Sequence, residues 1–192
     1  MKITGTNTKR RIWGVISAVG ILSVVILTAG CAHSEESKTE SVQNITPFPE
    51  FTTMDLDGNE VTQEIFGDKK LTMVNVWGTF CSPCIQEMPA LGELAEEYKE
   101  DMQILGVISD VVQTEEVTSD AALKEAKRIV DITKADYTHV VTSQDLLEEF
   151  VSGISAVPTT FFVDQEGNIM GVGVSGARSK EKWQEIIEAL LD

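Results

Sequence analysis

Cysteine and histidine are scarce in this chain. Its 192 residues include three Cys and two His. Three Cys are too few for a disulfide-stapled scaffold, and too few for a four-thiolate zinc or iron–sulfur site. Two His and no C-x-x-C-H run argue against haem attachment to this chain. Positive charge is also short: 15 Lys and Arg stand against 31 Asp and Glu, a net charge of −16 with His neutral. Neutralising phosphates needs clustered Lys and Arg, so the balance argues against a nucleic-acid binder. No internal repeat is present. The 42% hydrophobic content is ordinary for a globular protein and excludes full disorder. The length fits one domain, or one domain with an appendage.

Charge is distributed unevenly. Residues 1–30 hold Lys2, Lys9, Arg10 and Arg11 and no acid, while the other 11 basic residues face all 31 acids. After Arg11, Ile12–Gly30 runs 19 residues without a charge. A basic start and an apolar run read as a secretory signal or a membrane anchor, its positive end cytoplasmic. The run ends Leu27-Thr28-Ala29-Gly30-Cys31. Small residues before a Cys resemble a bacterial lipobox, although Thr28 stands where a lipobox prefers Leu. The resemblance implies a lipidated Cys31 as mature N-terminus. The alternative is an uncleaved helix, since roughly 20 apolar residues span a bilayer. Either way residues 31–46 read as a lipidated Cys and flexible tether. They would hold a domain of residues 47–192 at the outer face of the cytoplasmic membrane. The acidic domain has no electrostatic affinity for anionic lipid, so the anchor does the holding.

Within the domain, Phe51–Leu56 and Asn59–Thr62 flank Asp57-Gly58, a hairpin signal. Leu71–Trp77 is a compact apolar run with the look of a buried central strand. Helical spacing follows over Cys84–Tyr98 at Ile85, Met88, Leu91, Leu94 and Ala95, a core-facing stripe. Pro89 sits inside it and predicts a kink. Gln103–Ile108 reads as a strand, Ala121–Ile132 as an inserted helix, Tyr137–Val141 as a short strand and Asp145–Val151 as a short helix. Thr159–Val163 and Ile169–Val174 read as strands joined by the turn Asp164-Gln165-Glu166-Gly167. Ser179 reads as the N-cap of a last helix carrying Trp183, Ile186, Ile187, Leu190 and Leu191. Early strand–helix–strand alternation and a late hairpin predict an α/β fold with a mixed central sheet and helices on both faces. His139 reads as a surface strand residue.

The chemistry centres on Cys81-Ser82-Pro83-Cys84, a C-x-x-C at a strand-to-helix junction. The first Cys falls where unpaired N–H groups and the helix dipole favour an anion. A thiolate is the nucleophile in disulfide exchange, and such a site lowers a thiol pKa from about 8.5 to about 7. The second Cys lies one turn in, close enough to form the disulfide. Pro83 falls in the first turn, where its missing N–H costs little. Two rival readings are a half zinc site, which needs two more ligands, and a static disulfide, which stabilises little over so short a loop. If Cys31 is lipidated, one Cys pair remains with no stray thiol in an oxidising compartment.

The run Asn75-Val76-Trp77-Gly78-Thr79-Phe80-Cys81-Ser82-Pro83-Cys84, then Glu87-Met88-Pro89, resembles the TlpA/ResA branch of the thioredoxin superfamily. Val157-Pro158-Thr159-Thr160 resembles that family's cis-proline loop. The resemblance spans roughly residues 46–192 and implies a thioredoxin-like fold with a helical insertion. It also implies a membrane-tethered, extracytoplasmic thiol–disulfide oxidoreductase with no cofactor and no metal. By position Cys81 is the attacking thiol and Cys84 the resolving thiol. Pro158 is cis, and Val157 and Thr159 lie on the substrate-binding loop. Trp77 is either core or a wall of the substrate site. Glu87 either tunes the thiols or is a solvated helix acid. Asn75 replaces thioredoxin's buried Asp, which leaves more of the proton chemistry to Glu87. The branch reduces protein disulfides, in apocytochrome c or a methionine sulfoxide reductase, with electrons from a membrane thiol carrier of the CcdA/DsbD type. Two alternatives remain. A thiol peroxidase of the same fold is disfavoured because Val76 stands where peroxiredoxins carry Thr before the nucleophile. The other is a non-catalytic binding module with a structural disulfide.

Overall fold

The computed structural model describes residues 46–113 and 120–192. The targeting segment, Cys31 and the tether up to residue 45 lie outside the described residues. Thr46, read as the last tether residue, opens β1 (Thr46–Pro47). A small hairpin follows, β2 (Thr52–Met54) against β3 (Glu60–Thr62), as an antiparallel pair of its own. Its turn is closed by Asp55, whose carboxylate accepts from the N–H groups of Asp57 and Asn59 and from the Asn59 amide, each at 2.8 Å. Gly58 takes φ +87° there, a conformation that other residues rarely adopt.

β4 is Leu71–Trp77, buried along its whole length. It pairs in parallel with β5 (Met102–Val112) and antiparallel with β7 (Thr159–Asp164). β6 (Thr138–Thr142) continues the parallel ladder on β5. On the other side β7 pairs with β8 (Asn168–Ile169) and β9 (Val174–Ser175). The main sheet therefore runs β1-β8-β7-β4-β5-β6 with β9 also on β7, mixed in direction as expected. The predicted strand Ile169–Val174 differs: it is two short strands separated by Met170–Gly173. Gly171 at φ +76° turns the chain out of the ladder, and Gly173 leaves room for the Phe161 ring, 2.6 Å from where a Cβ would sit.

Three helices cover one face: α1 (Ser82–Glu97), α2 (Asp120–Thr133) and α4 (Lys180–Leu191). α1 continues through Pro89. Met88, Leu91 and Leu94 form its buried stripe, each contributing about 1.5–3 kcal/mol of burial. Ser179 caps α4 by accepting from the Lys182 N–H, and Trp183 and Ile187 reach the core. The opposite face holds α3 (Gln144–Glu149) and a phenylalanine cluster of Phe48, Phe51, Phe66 and Phe150.

His139 corrects the sequence reading. It is 3% exposed, on the helix-covered face. Gly106, beside it on β5, has no side chain, and the imidazole occupies that space: a Cβ at Gly106 would lie 2.2 Å from His139 Nδ1. Trp77 Nε1 donates to His139 Nδ1 at 3.2 Å, and Nε2 lies 3.0 Å from Ala135 O. With both ring nitrogens engaged and water excluded, burial pushes the imidazole pKa down to about 4, so it is neutral at pH 7.

Candidate active site

β4 ends at Trp77, and the chain turns through Gly78–Phe80, with Cys81 N–H donating to Gly78 O at 3.0 Å. Cys81 is the N-cap of α1: the Cys84 N–H points at Cys81 Sγ at 3.2 Å. The two sulfurs are bonded, with Cα atoms 5.3 Å apart. Cys84 is fully buried and Cys81 is 5% exposed. Both are therefore buried, and what small exposure the pair has belongs to Cys81. On reduction, the inward N–H and the helix N-terminus stabilise a thiolate at Cys81.

The cis-proline loop closes over this sulfur. The Val157–Pro158 peptide is cis, and Val157 O lies 3.5 Å from Cys81 Sγ. Val157 is half-buried, whereas Thr159 is buried with its hydroxyl donated to Ala156 O at 2.7 Å. Beside the loop a cavity of about 400 Å³ is lined by Val76, Phe80, Val151, Ile154 and Val157. Phe80, next to Cys81 in the chain, is 73% exposed. Trp77 is not part of this surface. It has no exposed area and packs behind the cysteines with Met88 and Ile108, so it is a core residue and not a wall of the substrate site.

Glu87 is not a solvated helix acid. It is 4% exposed and takes three donors. Asn75 Nδ2 reaches Oε1 at 3.2 Å, and the Arg178 N–H and Trp183 Nε1 reach Oε2 at 3.0 and 3.3 Å. Asn75 also donates to Thr160 Oγ1 at 3.0 Å, so its amide joins β7, β4 and α1. Burial raises the carboxyl pKa above its ordinary value, and the three donors with the Arg178 charge pull partly against it.

Three site features carry no local sequence signal. β5 shifts register against β6 between Ile108 and Val112. Within that irregularity Ser109 Oγ donates to Trp77 O at 2.9 Å. Asp110 accepts from the Thr79 N–H at 2.9 Å and from the Thr79 hydroxyl. The loop leading to Cys81 is thus fastened to β5. Arg178 and Trp183 meet Glu87 from a region far along the chain. Among the described residues no group of three or more His, Cys, Asp or Glu side chains is placed to hold a metal ion.

The Redoxin family model matches residues 43–187. The chain is 27% identical over 155 residues to the thiol-disulfide oxidoreductase ResA of Bacillus cereus, covering 80% of this chain and 82% of that one. It is 25% identical over 170 residues to the thioredoxin-like protein YneN of Bacillus subtilis, covering 87% and 94%. A thiol:disulfide interchange protein of Chlorobium tepidum, solved by crystallography, superposes with a TM-score of 0.63 at 24% identity, over 77% of this chain and 97% of that one. That likeness establishes the thioredoxin-like fold. With a bridged C-x-x-C at a helix N-terminus facing a cis-proline loop, the chain belongs to the Redoxin family, as a thiol–disulfide oxidoreductase of the thioredoxin superfamily.

Proposed function

We propose that the protein reduces disulfides in extracytoplasmic protein partners while tethered to the membrane. The observation that carries the reading is Cys81, which holds the pair's small exposed area, set against Val157 O and near a cavity lined by Val76, Phe80 and Val157 together with Ser109 and Ser155, with its mate fully buried one turn deeper. The reduced Cys81 thiolate attacks one sulfur of a partner disulfide. That S–S bond breaks, a mixed disulfide forms, and the departing partner thiolate takes a proton. Cys84 then loses its proton and attacks Cys81 Sγ. The intramolecular disulfide re-forms and the partner leaves as a dithiol, two electrons richer. Glu87, one turn beyond Cys84, accepts or returns the Cys84 proton. The cis peptide presents the Val157 main chain to an extended partner segment, and an apolar partner side chain fills the cavity beside Phe80.

The relatives named thiol-disulfide oxidoreductase ResA support the exchange chemistry. Apocytochrome c and a methionine sulfoxide reductase are the two partner types the family suggests, and a membrane thiol carrier of the CcdA/DsbD type returns the pair to the dithiol form. The charge-poor run ending at Cys31 supports lipid anchorage at the outer face of the cytoplasmic membrane.

The test is turnover of a protein disulfide such as insulin with a small dithiol as donor. Cys81→Ser abolishes it; full activity in that variant would end the redox reading. Cys84→Ser accumulates a mixed disulfide on Cys81 whose partner is identified by mass spectrometry. Palmitate labelling that is lost in Cys31→Ser checks the anchor.

A further inference from the structure

The segment that follows Met170–Gly173 touches both parts of the site. Val174 and Ser175 pair with Thr160 and Thr159, and the Gly176 N–H donates to Pro158 O at 2.8 Å. Two residues on, the Arg178 N–H donates to Glu87 Oε2 at 3.0 Å. One short strap therefore backs the cis-proline loop at one end and supplies a donor to the buried acid at the other.

The Arg178 side chain sets the strap's shape. Its guanidinium turns back on its own main chain. Nη1 donates to Gly176 O at 2.8 Å and Ala177 O at 3.1 Å, and Nη2 donates to Ser175 O at 3.0 Å. Gly176 permits the curl with φ +84°, and a Cβ there would stand 3.3 Å from Nη1. Among the described residues Arg178 makes no ion pair within 4.0 Å, although acids outnumber bases twofold in the chain. A planar fork with several fixed donors suits three successive carbonyls; a single ammonium does not.

We infer that Arg178 is a positioning residue for the exchange reaction: its fork folds residues 175–178 so that a main-chain N–H is held on the Glu87 carboxylate. The inference rests on the proposed function for its consequence, since Glu87 matters only if it exchanges protons with the thiol pair. The groups that face Glu87 are Arg178 from the strap, Tyr137 ahead of β6 and Cys84 one turn back on α1, with Asn75 from β4 and Trp183 from α4 as neutral donors. Loosening the strap withdraws a donor from a buried carboxylate, and such a group holds its proton to higher pH.

The experiment follows the side-chain carboxyl carbon of Glu87 by ¹³C NMR through a pH titration of the oxidised protein, the signal being assigned by its loss in Glu87→Gln. Arg178→Ala raises the midpoint by about one pH unit. Arg178→Lys keeps the charge but not the fork, and gives nearly the same rise. Arg178→Gln, the fallback should the alanine variant not fold, gives an intermediate rise. An unchanged midpoint in Arg178→Ala would overturn the inference. So would a wild-type midpoint in Arg178→Lys, which would assign the effect to charge alone. The proposed role of Glu87 fails separately, if resolution of a mixed disulfide by Cys84 in Glu87→Gln follows the wild-type pH curve.

Discussion

On one face of the sheet, Val74, Val76, Leu105, Val107, Val140 and Val163 meet the rings of Phe48, Phe51, Phe66 and Phe150. On the other, the row Thr160–Asn75–Gly106–His139 crosses β7, β4, β5 and β6 at one level, under α1 and the cysteines. The first face is held by apolar burial and ring packing, with Phe48 and Phe66 centroids 5.0 Å apart. The second holds the buried acid Glu87 and the buried imidazole of His139. Burying a group that titrates costs stability unless its hydrogen bonds are made, and here the donors come from β4, α4 and the strap. The stability that one face supplies offsets what the other loses to keep polar chemistry below the thiols.

The comparison breaks first at Phe66. Phe66→Ala removes a buried ring from the apolar face and costs about 3–5 kcal/mol in chemical denaturation. The pH curve for alkylation of Cys81 stays in place, because no group on that face titrates with the pair. A shifted curve would show that the two faces are not separable.

Acid is the next largest perturbation. Between pH 6.5 and about 4 the unfolded His139 binds a proton and the folded one does not, so stability falls as pH drops through that window. The loss grows to about 3 kcal/mol as pH falls to about 4, where the folded imidazole begins to bind a proton as well. His139→Gln keeps an acceptor for Trp77 and a donor for Ala135 without titrating. The difference in unfolding free energy between pH 7.5 and 4.5 is therefore smaller in the variant by that amount; equal pH dependences would reject the buried neutral imidazole. Glu87 has the opposite sign. Its raised pKa contributes stability that is present in acid and lost as pH rises above the ordinary carboxyl range. Asp110→Ala follows at about 1–2 kcal/mol, since it leaves the Thr79 N–H without its charged acceptor. It also slows Cys81 alkylation, whereas Asp110→Asn, which keeps the acceptor, does neither.

How much of this was legible followed the range of the interaction. β4 was read residue for residue because a fully buried strand is an uninterrupted apolar run. The Ser179 cap and the Asp57-Gly58 hairpin were read because their bonds close within four residues. Cys81, Cys84 and Pro158 were placed by motif, and the structure brings them together. His139 was misread because its burial depends on the missing side chain of Gly106, and strand alternation cannot report a neighbour's size. The split of β8 from β9 depends on Phe161 filling the space at Gly173. Arg178 and Asp110 act across long sequence separations, so no local pattern marks them.

The smallest change in stability, and the sharpest in chemistry, comes from Glu87→Gln. The new amide oxygen still accepts from the Arg178 N–H and Trp183 Nε1, which lie 3.0 and 3.3 Å from Oε2. Its nitrogen would face the Asn75 amide nitrogen, a donor against a donor. Turning the Asn75 amide over resolves this: Asn75 Oδ1 then accepts from the new amide and from the Thr160 hydroxyl, which now donates. The flip moves the Asn75 nitrogen into the place where Oδ1 already has no partner, so one buried polar atom is unpartnered before and after, and the unfolding free energy at pH 7 moves by about 1 kcal/mol. On the proposed function, what is lost is the exchangeable proton one helical turn from Cys84. Resolution of a mixed disulfide by Cys84 slows and loses its dependence on the carboxyl titration, while attack by Cys81 on a small disulfide changes less. Single-turnover measurements of the two steps across pH separate these outcomes. A large stability loss with both steps slowed equally would instead make Glu87 a packing group, and the polar face would then differ from the phenylalanine face in composition alone.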